Sequence, residues 1–214
     1  MTTTTIALLI AAGVAAIIDW IAVAGQRERL IYIFKPAVMV ALILATITLP
    51  DIPTTLRLFV IGAQLAGLTG DVALMLGKFI PGAAAFAVGH VLYIIGWLPY
   101  AVPGIGAAVG IVLALVLMFT FGRRITVAAA HRSIAMGQVV SIYQVLLSLM
   151  AVAAFATDTW LLAAAAALFV VSDTILGWTR FVHERPQLRV VVHMTYHIAQ
   201  IGIVAALPLL VSAS

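Results

Sequence analysis

Three acidic residues, Asp19, Asp71 and Asp173, sit inside long apolar runs that would carry them into a bilayer. A carboxyl group in that position costs about 2.5–3.5 kcal/mol on insertion scales and marks a functional candidate by default. Other polar groups lie in similar runs: Lys35, Ser172, His90-x-x-Tyr93, and a stripe of His193, Tyr196, His197 and Gln200 at helical spacing i, i+3, i+4, i+7. Two carboxyl groups in a low-dielectric pocket beside one basic residue are expected to divide their roles, one keeping its proton while the other stays ionised. Such a pair can protonate a substrate and activate water. The His193-x-x-x-His197 spacing is that of a zinc-binding pair, although no Glu lies within it and no further His follows on that helix. With no cysteine in the chain, thiolate metal sites, disulfides and a Cys nucleophile are excluded.

The elements that must hold these groups are membrane helices. Of 214 residues, 65% are apolar and 8% charged, with a mean hydropathy of +1.25; a soluble domain carries about 25% charged residues. The opening Met1–Thr5 lacks the positive charge of a secretory signal, so the first apolar run reads as a retained helix. Charge, Pro and Gly then punctuate the chain into eight spans, at 5–25, 34–50, 55–77, 80–99, 104–121, 133–155, 158–178 and 188–211. The expectation is an all-α, polytopic membrane protein of eight transmembrane helices forming one domain over 1–214. Runs such as 163–171 do not alternate in polarity, which argues against an outer-membrane barrel.

Of the eleven Lys and Arg residues, ten fall on or beside the odd-numbered loops and only Arg57 on the other side. The positive-inside rule therefore puts those loops in the cytoplasm and both termini outside, as expected of a multi-pass protein of a bacterial inner (plasma) membrane. The pI near 9.9 reads the same way and not as nucleic-acid binding. Asp71 and Asp173 each lie seven residues before a cytoplasmic basic residue, Lys78 and Arg180, and Asp19 lies eight before Arg27. At 1.5 Å per residue, all three acids sit about 10–12 Å from that rim. Lys35 is expected to open the second helix at the rim itself, where Asp19 could tie the first two helices together through it. Ser141 and Tyr143 read first as interhelical hydrogen-bonding residues. The four remaining acids, Glu28, Asp51, Asp158 and Glu184, read as solvated loop charge. Because the intramembrane polarity falls in the cytoplasmic half, a polar cavity open to that leaflet is expected. Its apolar walls would select a long acyl or alkenyl chain, and its basic rim (Lys78, Arg123, Arg180 and neighbours) a phosphate.

A weak repeat runs through the acids. Gly70-Asp71 precedes Lys78-Phe79 as Ser172-Asp173 precedes Arg180-Phe181, and His-x-x-Tyr follows at both 90–93 and 193–196. An offset of four helices would make two parallel halves, 1–103 and 104–214.

The same residues resemble a family. Lys35-Pro36, Gly70-Asp71-x-x-Leu74, Gly82…Phe86…His90-x-x-Tyr93, Ser172-Asp173 and Tyr196-His197-x-Ala199-Gln200 occur in the order found in the YhhN-type lysoplasmalogenase family. Many members carry a second Tyr where His197 stands. The resemblance implies hydrolysis of the vinyl-ether bond of a lysoplasmalogen, a lysophospholipid, to a fatty aldehyde and a glycerophospho-base. It implies Asp71 and Asp173 as the central acids and requires no cofactor and no metal. Lys35, His90, Tyr93, Ser172, Tyr196, Gln200 and Asp19 are then candidates for binding substrate and water. The rival readings are a proton-coupled secondary transporter of a small or amphiphilic solute, a zinc-dependent lipid amidase or esterase, and a non-catalytic membrane protein. Beyond the substrate, membrane lipid is the expected partner.

Overall fold

A computed structural model describes residues 1–213, which form helices and no strand. The first four helices are α1 (Thr3–Ala24), α2 (Glu28–Thr48), α3 (Thr54–Met75) and α4 (Phe79–Trp97). A fifth span is built from α5 (Ile105–Leu117), a π-helical turn at Met118–Gly122 and α6 (Arg123–Ala130). Then come α7 (Ile134–Ala156), α8 (Trp160–Phe181) and α9 (Leu188–Ser212). Eight of these segments are long and apolar enough to cross a bilayer, as expected, and the chain is a multi-pass integral membrane protein.

Two boundaries differ from the sequence expectation. The second span begins at Glu28, not 34, because the charged start that reads as loop is helical and anchored: Arg189 of α9 donates to both Glu28 carboxylate oxygens, at 2.5 and 3.0 Å. Lys35 therefore sits two turns inside α2 and is buried, instead of opening the helix at the rim. The fifth span continues past 121 to Ala130. Its last turns are amphipathic, with Ile125 and Ala129 buried against Val140 and Phe181.

Seven spans close into a ring. Consecutive helices pack together from α1 to α4, α4 packs on α7, α7 on α8, α8 on α9, and α9 returns to α1. The fifth span lies outside this ring, chiefly against α7, and Ile105 and Phe119 on it are 85% and 71% exposed, as lipid-facing residues are. Away from the basic loops the ring is filled by side chains such as Leu42, Leu49, Leu56, Trp97, Met150 and Leu207. Toward the basic loops it carries the polar groups.

Short turns join the spans, with Gln26, Asp51, Gly77 and Asp158 in the left-handed region that reverses a chain within a few residues. Thr2 and Ser133 cap α1 and α7 by accepting from the Thr5 and Met136 amides, each at 3.1 Å. Arg57, the one basic residue at the far end, donates to the Thr46, Ile47 and Ile52 carbonyls and so satisfies the open end of α2.

The α3–α4 contact depends on small residues, as membrane interfaces do. Gly82, Gly89 and Gly96 fall seven apart on α4. A Cβ on Gly89 would lie 3.1 Å from the Ala63 carbonyl oxygen, and one on Gly96 3.0 Å from Phe59 Cβ. Gly89→Leu is therefore expected to destabilise the fold by about 1–3 kcal/mol through overpacking, read as a lower unfolding temperature in detergent. The lipid-facing Val88→Leu should leave that temperature unchanged.

Candidate active site

Inside the ring, next to the basic loops, lies a cavity with a mostly apolar lining and a few convergent polar groups, the character of a ligand site. Leu74, Phe79, Phe86, Ile125, Leu147 and Phe181 supply apolar wall, while Lys35, Asp71, Tyr143, Asp173, His193 and Tyr196 supply its polar groups. Phe86, Phe169, Tyr196 and His90 stack edge-to-face with centroids 5.1–6.5 Å apart, which fixes the Phe86 and Tyr196 rings that line it.

The acids at 71 and 173 reach this cavity from opposite sides of the ring, and their partners differ. Asp71 is 1% exposed; Lys35 Nζ lies 2.9 Å from its Oδ1, and Tyr196 donates its hydroxyl to Oδ2 at 2.8 Å. The same Lys35 ammonium stands 5.6 Å from the Tyr196 ring centroid. A charge taken out of water must be answered by an opposite charge and by hydrogen bonds, and Asp71 has both. Asp173 has no cation within ion-pair distance among the described residues. Tyr143 of α7 donates a short hydrogen bond to its Oδ2, Oδ1 makes no hydrogen bond among the described residues, and Asp173 lines the cavity.

Three candidates support this centre without lining the cavity. His90 Nε2 lies 3.1 Å from the Tyr143 hydroxyl. Tyr93 donates to Gln200 Oε1 at 2.9 Å, and Gln200 Nε2 in turn donates to the Tyr196 hydroxyl at 3.4 Å. Ser172 borders the cavity, but its hydroxyl is engaged with the Val192 carbonyl at 3.0 Å and ties α8 to α9. Asp19 is fully buried and makes no tie to Lys35, which is committed to Asp71; its partner is His193, with Nδ1 2.7 Å from Oδ2. Tyr143 and His193 join the centre although neither stood among the sequence candidates for it. The available signal was depth: both lie on spans at about the level of the acids. Ser141, by contrast, is exposed on the outside of α7.

Among the described residues no group of three or more His, Cys, Asp or Glu side chains is arranged to hold a metal ion. Toward the basic loops the cavity continues into a vestibule bordered by Arg180, Arg185, Arg189 and Glu184. Lys35 and His193 border both spaces. Arg189 is paired with Glu28, whereas Arg180 and Arg185 have no carboxylate partner among the described residues; Arg180 lies over the Phe79 ring at 4.5 Å. The Lys78 and Arg123 of the expected phosphate rim border neither the cavity nor the vestibule.

Comparison with known proteins points to one family. The sequence model described as the YhhN family matches residues 30–207. Lysoplasmalogenase TMEM86B of Homo sapiens is 30% identical over 146 residues, which make up 65% of this chain and 59% of that protein. The matched region thus spans less than two thirds of the relative's length. No solved structure matches.

Removing one partner of a buried ion pair strands the other and costs about 3–5 kcal/mol. Lys35→Met should therefore lower stability by about that amount, and adding Asp71→Asn should recover most of the loss. Thermal unfolding of the two variants in detergent checks both expectations.

Proposed function

The chain belongs to the YhhN family, and on that premise we propose that it is a membrane hydrolase that cleaves the vinyl-ether bond of a lysoplasmalogen, releasing a fatty aldehyde and a glycerophospho-base. The observation that carries this reading is the unequal pair of acids on one apolar cavity, Asp71 ion-paired with Lys35 and Asp173 bonded only to a phenol.

Vinyl-ether hydrolysis requires a proton on carbon, an oxocarbenium ion and then water, a sequence close in kind to glycoside hydrolysis. Asp173, which lines the cavity with Oδ1 unbonded and no cation beside it, is the proton donor. Asp71, held as a carboxylate by Lys35, faces the cation that forms and lowers its energy in a site of low dielectric. Tyr143 and Tyr196 hold the two carboxyl groups in place, and His90, Tyr93 and Gln200 hold the tyrosines. The alkenyl chain occupies the apolar cavity. The phosphate lies in the vestibule against Arg180 and Arg185, whose guanidinium forks suit phosphate oxygens. No step requires a cofactor. The basic end faces the cytoplasm in this reading, with both termini on the other side.

Purified protein in detergent should release aldehyde from a lysoplasmalogen. Asp173→Asn is expected to lower kcat by at least about 1,000-fold, as loss of a general acid and its charge predicts. Arg180→Gln with Arg185→Gln should raise KM about tenfold for the phospholipid and leave a neutral alkenylglycerol unaffected, because two charge-assisted bonds, at about 1.5–3 kcal/mol each before solvent screening, are lost. Full turnover by a folded Asp173→Asn variant would refute the assignment.

A further inference from the structure

Protonating a vinyl ether is only half of its hydrolysis. Inside an apolar cavity the oxocarbenium ion can return its proton to the acid unless water adds first, and adding water needs a base. Asp71 is committed to Lys35, and the Asp173 carboxylate lies next to the carbon it has just protonated. A third acid–base group near the ether oxygen would let water add before that return.

The buried Asp19–His193 pair supplies one. Asp19 comes from α1 and His193 from α9, with Nδ1 2.7 Å from Oδ2. The neighbouring His197 is no second partner. Its Nδ1 stands 3.8 Å from that oxygen and already accepts a hydrogen bond from Trp20 Nε1 at 3.1 Å, so it offers the carboxylate a lone pair and no proton. His197 Nε2 is occluded without a hydrogen bond, and His90 Nδ1 is as well. His193 Nε2 is not among the occluded atoms and makes no hydrogen bond among the described residues. A carboxylate that accepts the Nδ1–H fixes the ring in the tautomer with a lone pair on Nε2.

Position completes the argument. Among the described residues, Lys35 and His193 are the only ionisable ones that border both the apolar cavity and the cationic vestibule. A lysoplasmalogen lying with its chain in one and its phosphate in the other passes its ether oxygen between them, beside His193. We propose that His193 is a catalytic residue, the base for the attacking water and the acid for the departing glycerol oxygen, and that Asp19 is its positioning residue. This rests on the vinyl-ether hydrolase reading.

The steps balance. Asp173 gives its proton to the carbon β to the ether oxygen, leaving an oxocarbenium ion. Water adds to the carbon that bears oxygen while one of its protons passes to His193 Nε2, and a hemiacetal results. The imidazolium, stabilised by Asp19, returns that proton to the glycerol oxygen as its bond to carbon breaks. The hemiacetal hydroxyl proton goes to the Asp173 carboxylate, restoring the acid and forming the aldehyde. The sum is vinyl ether plus water to aldehyde plus alcohol.

The test is turnover in D2O with analysis of both product and recovered substrate. His193→Asn keeps a donor for Asp19 but has nothing in place of Nε2; His193→Gln serves if that variant does not fold. The wild-type protein should release aldehyde and return unlabelled vinyl ether. The His193 variant should release aldehyde at least about 100-fold more slowly, the range of a lost general base, while its recovered substrate gains deuterium at the β carbon, because protonation now reverses. Asp19→Asn should show the same label to a smaller extent, and Asp173→Asn neither label nor product. Aldehyde release by the His193 variant within about threefold of wild type overturns the proposal, as does loss of turnover without exchange. If folded wild-type protein releases no aldehyde, the hydrolase reading falls, and this proposal falls with it.

Discussion

A charge in the middle of a bilayer has no solvent to answer it, so the protein must supply the answer from another helix. That constraint organises this molecule. Asp71 on α3 is answered by Lys35 on α2 and Tyr196 on α9, Asp19 on α1 by His193 on α9, and Asp173 on α8 by Tyr143 on α7. Each bond joins a different pair of helices, so satisfying the polar groups also holds the ring together at the end where it is hollow. At the other end leucines, alanines and Trp97 do that work by packing. The fifth span, with no partner in the polar layer except through Gln144, which accepts from Thr126 at 3.1 Å, stays outside the ring.

Chemical inequality between the acids follows from the same bonds. The two His-x-x-Tyr motifs, alike in sequence, are used differently. Tyr196 bonds Asp71, whereas Tyr93 bonds Gln200 and leaves Asp173 to a tyrosine from another helix. A lysine stands beside one acid and none beside the other. The partners are unequal, and inequality is what acid–base chemistry needs from two carboxyl groups. The cationic vestibule adds direction: an amphiphile can enter with its chain toward the acids and its phosphate toward Arg180 and Arg185.

Much of this was legible in the sequence, for reasons that also explain what was not. Apolar length marks a membrane helix in any context, so the eight spans could be read directly. Registers between helices cannot be read that way. Lys35 looked like a rim charge because Arg27, Glu28 and Arg29 precede it; only the pairing of Glu28 with Arg189, on a helix 161 residues away, shows that the helix starts earlier and buries the lysine. The same limit hid the partner of Asp19, which looked like a match for Lys35 and is held by His193 instead. Depth put Tyr143 near the acids, but its role stayed hidden because a tyrosine in a membrane helix more often bonds a neighbouring helix than an active acid. Here it does both.

The central claim is that Asp173 puts a proton on carbon inside this cavity. Labelling of the product tests it most directly. The protein is turned over on a lysoplasmalogen in D2O with the aldehyde reduced as it forms, so that no later exchange can occur. The account predicts a fatty alcohol bearing one deuterium at carbon 2 from the wild-type protein and no product from a folded Asp173→Asn variant. An aldehyde without that deuterium, or labelled product from the variant, would contradict it.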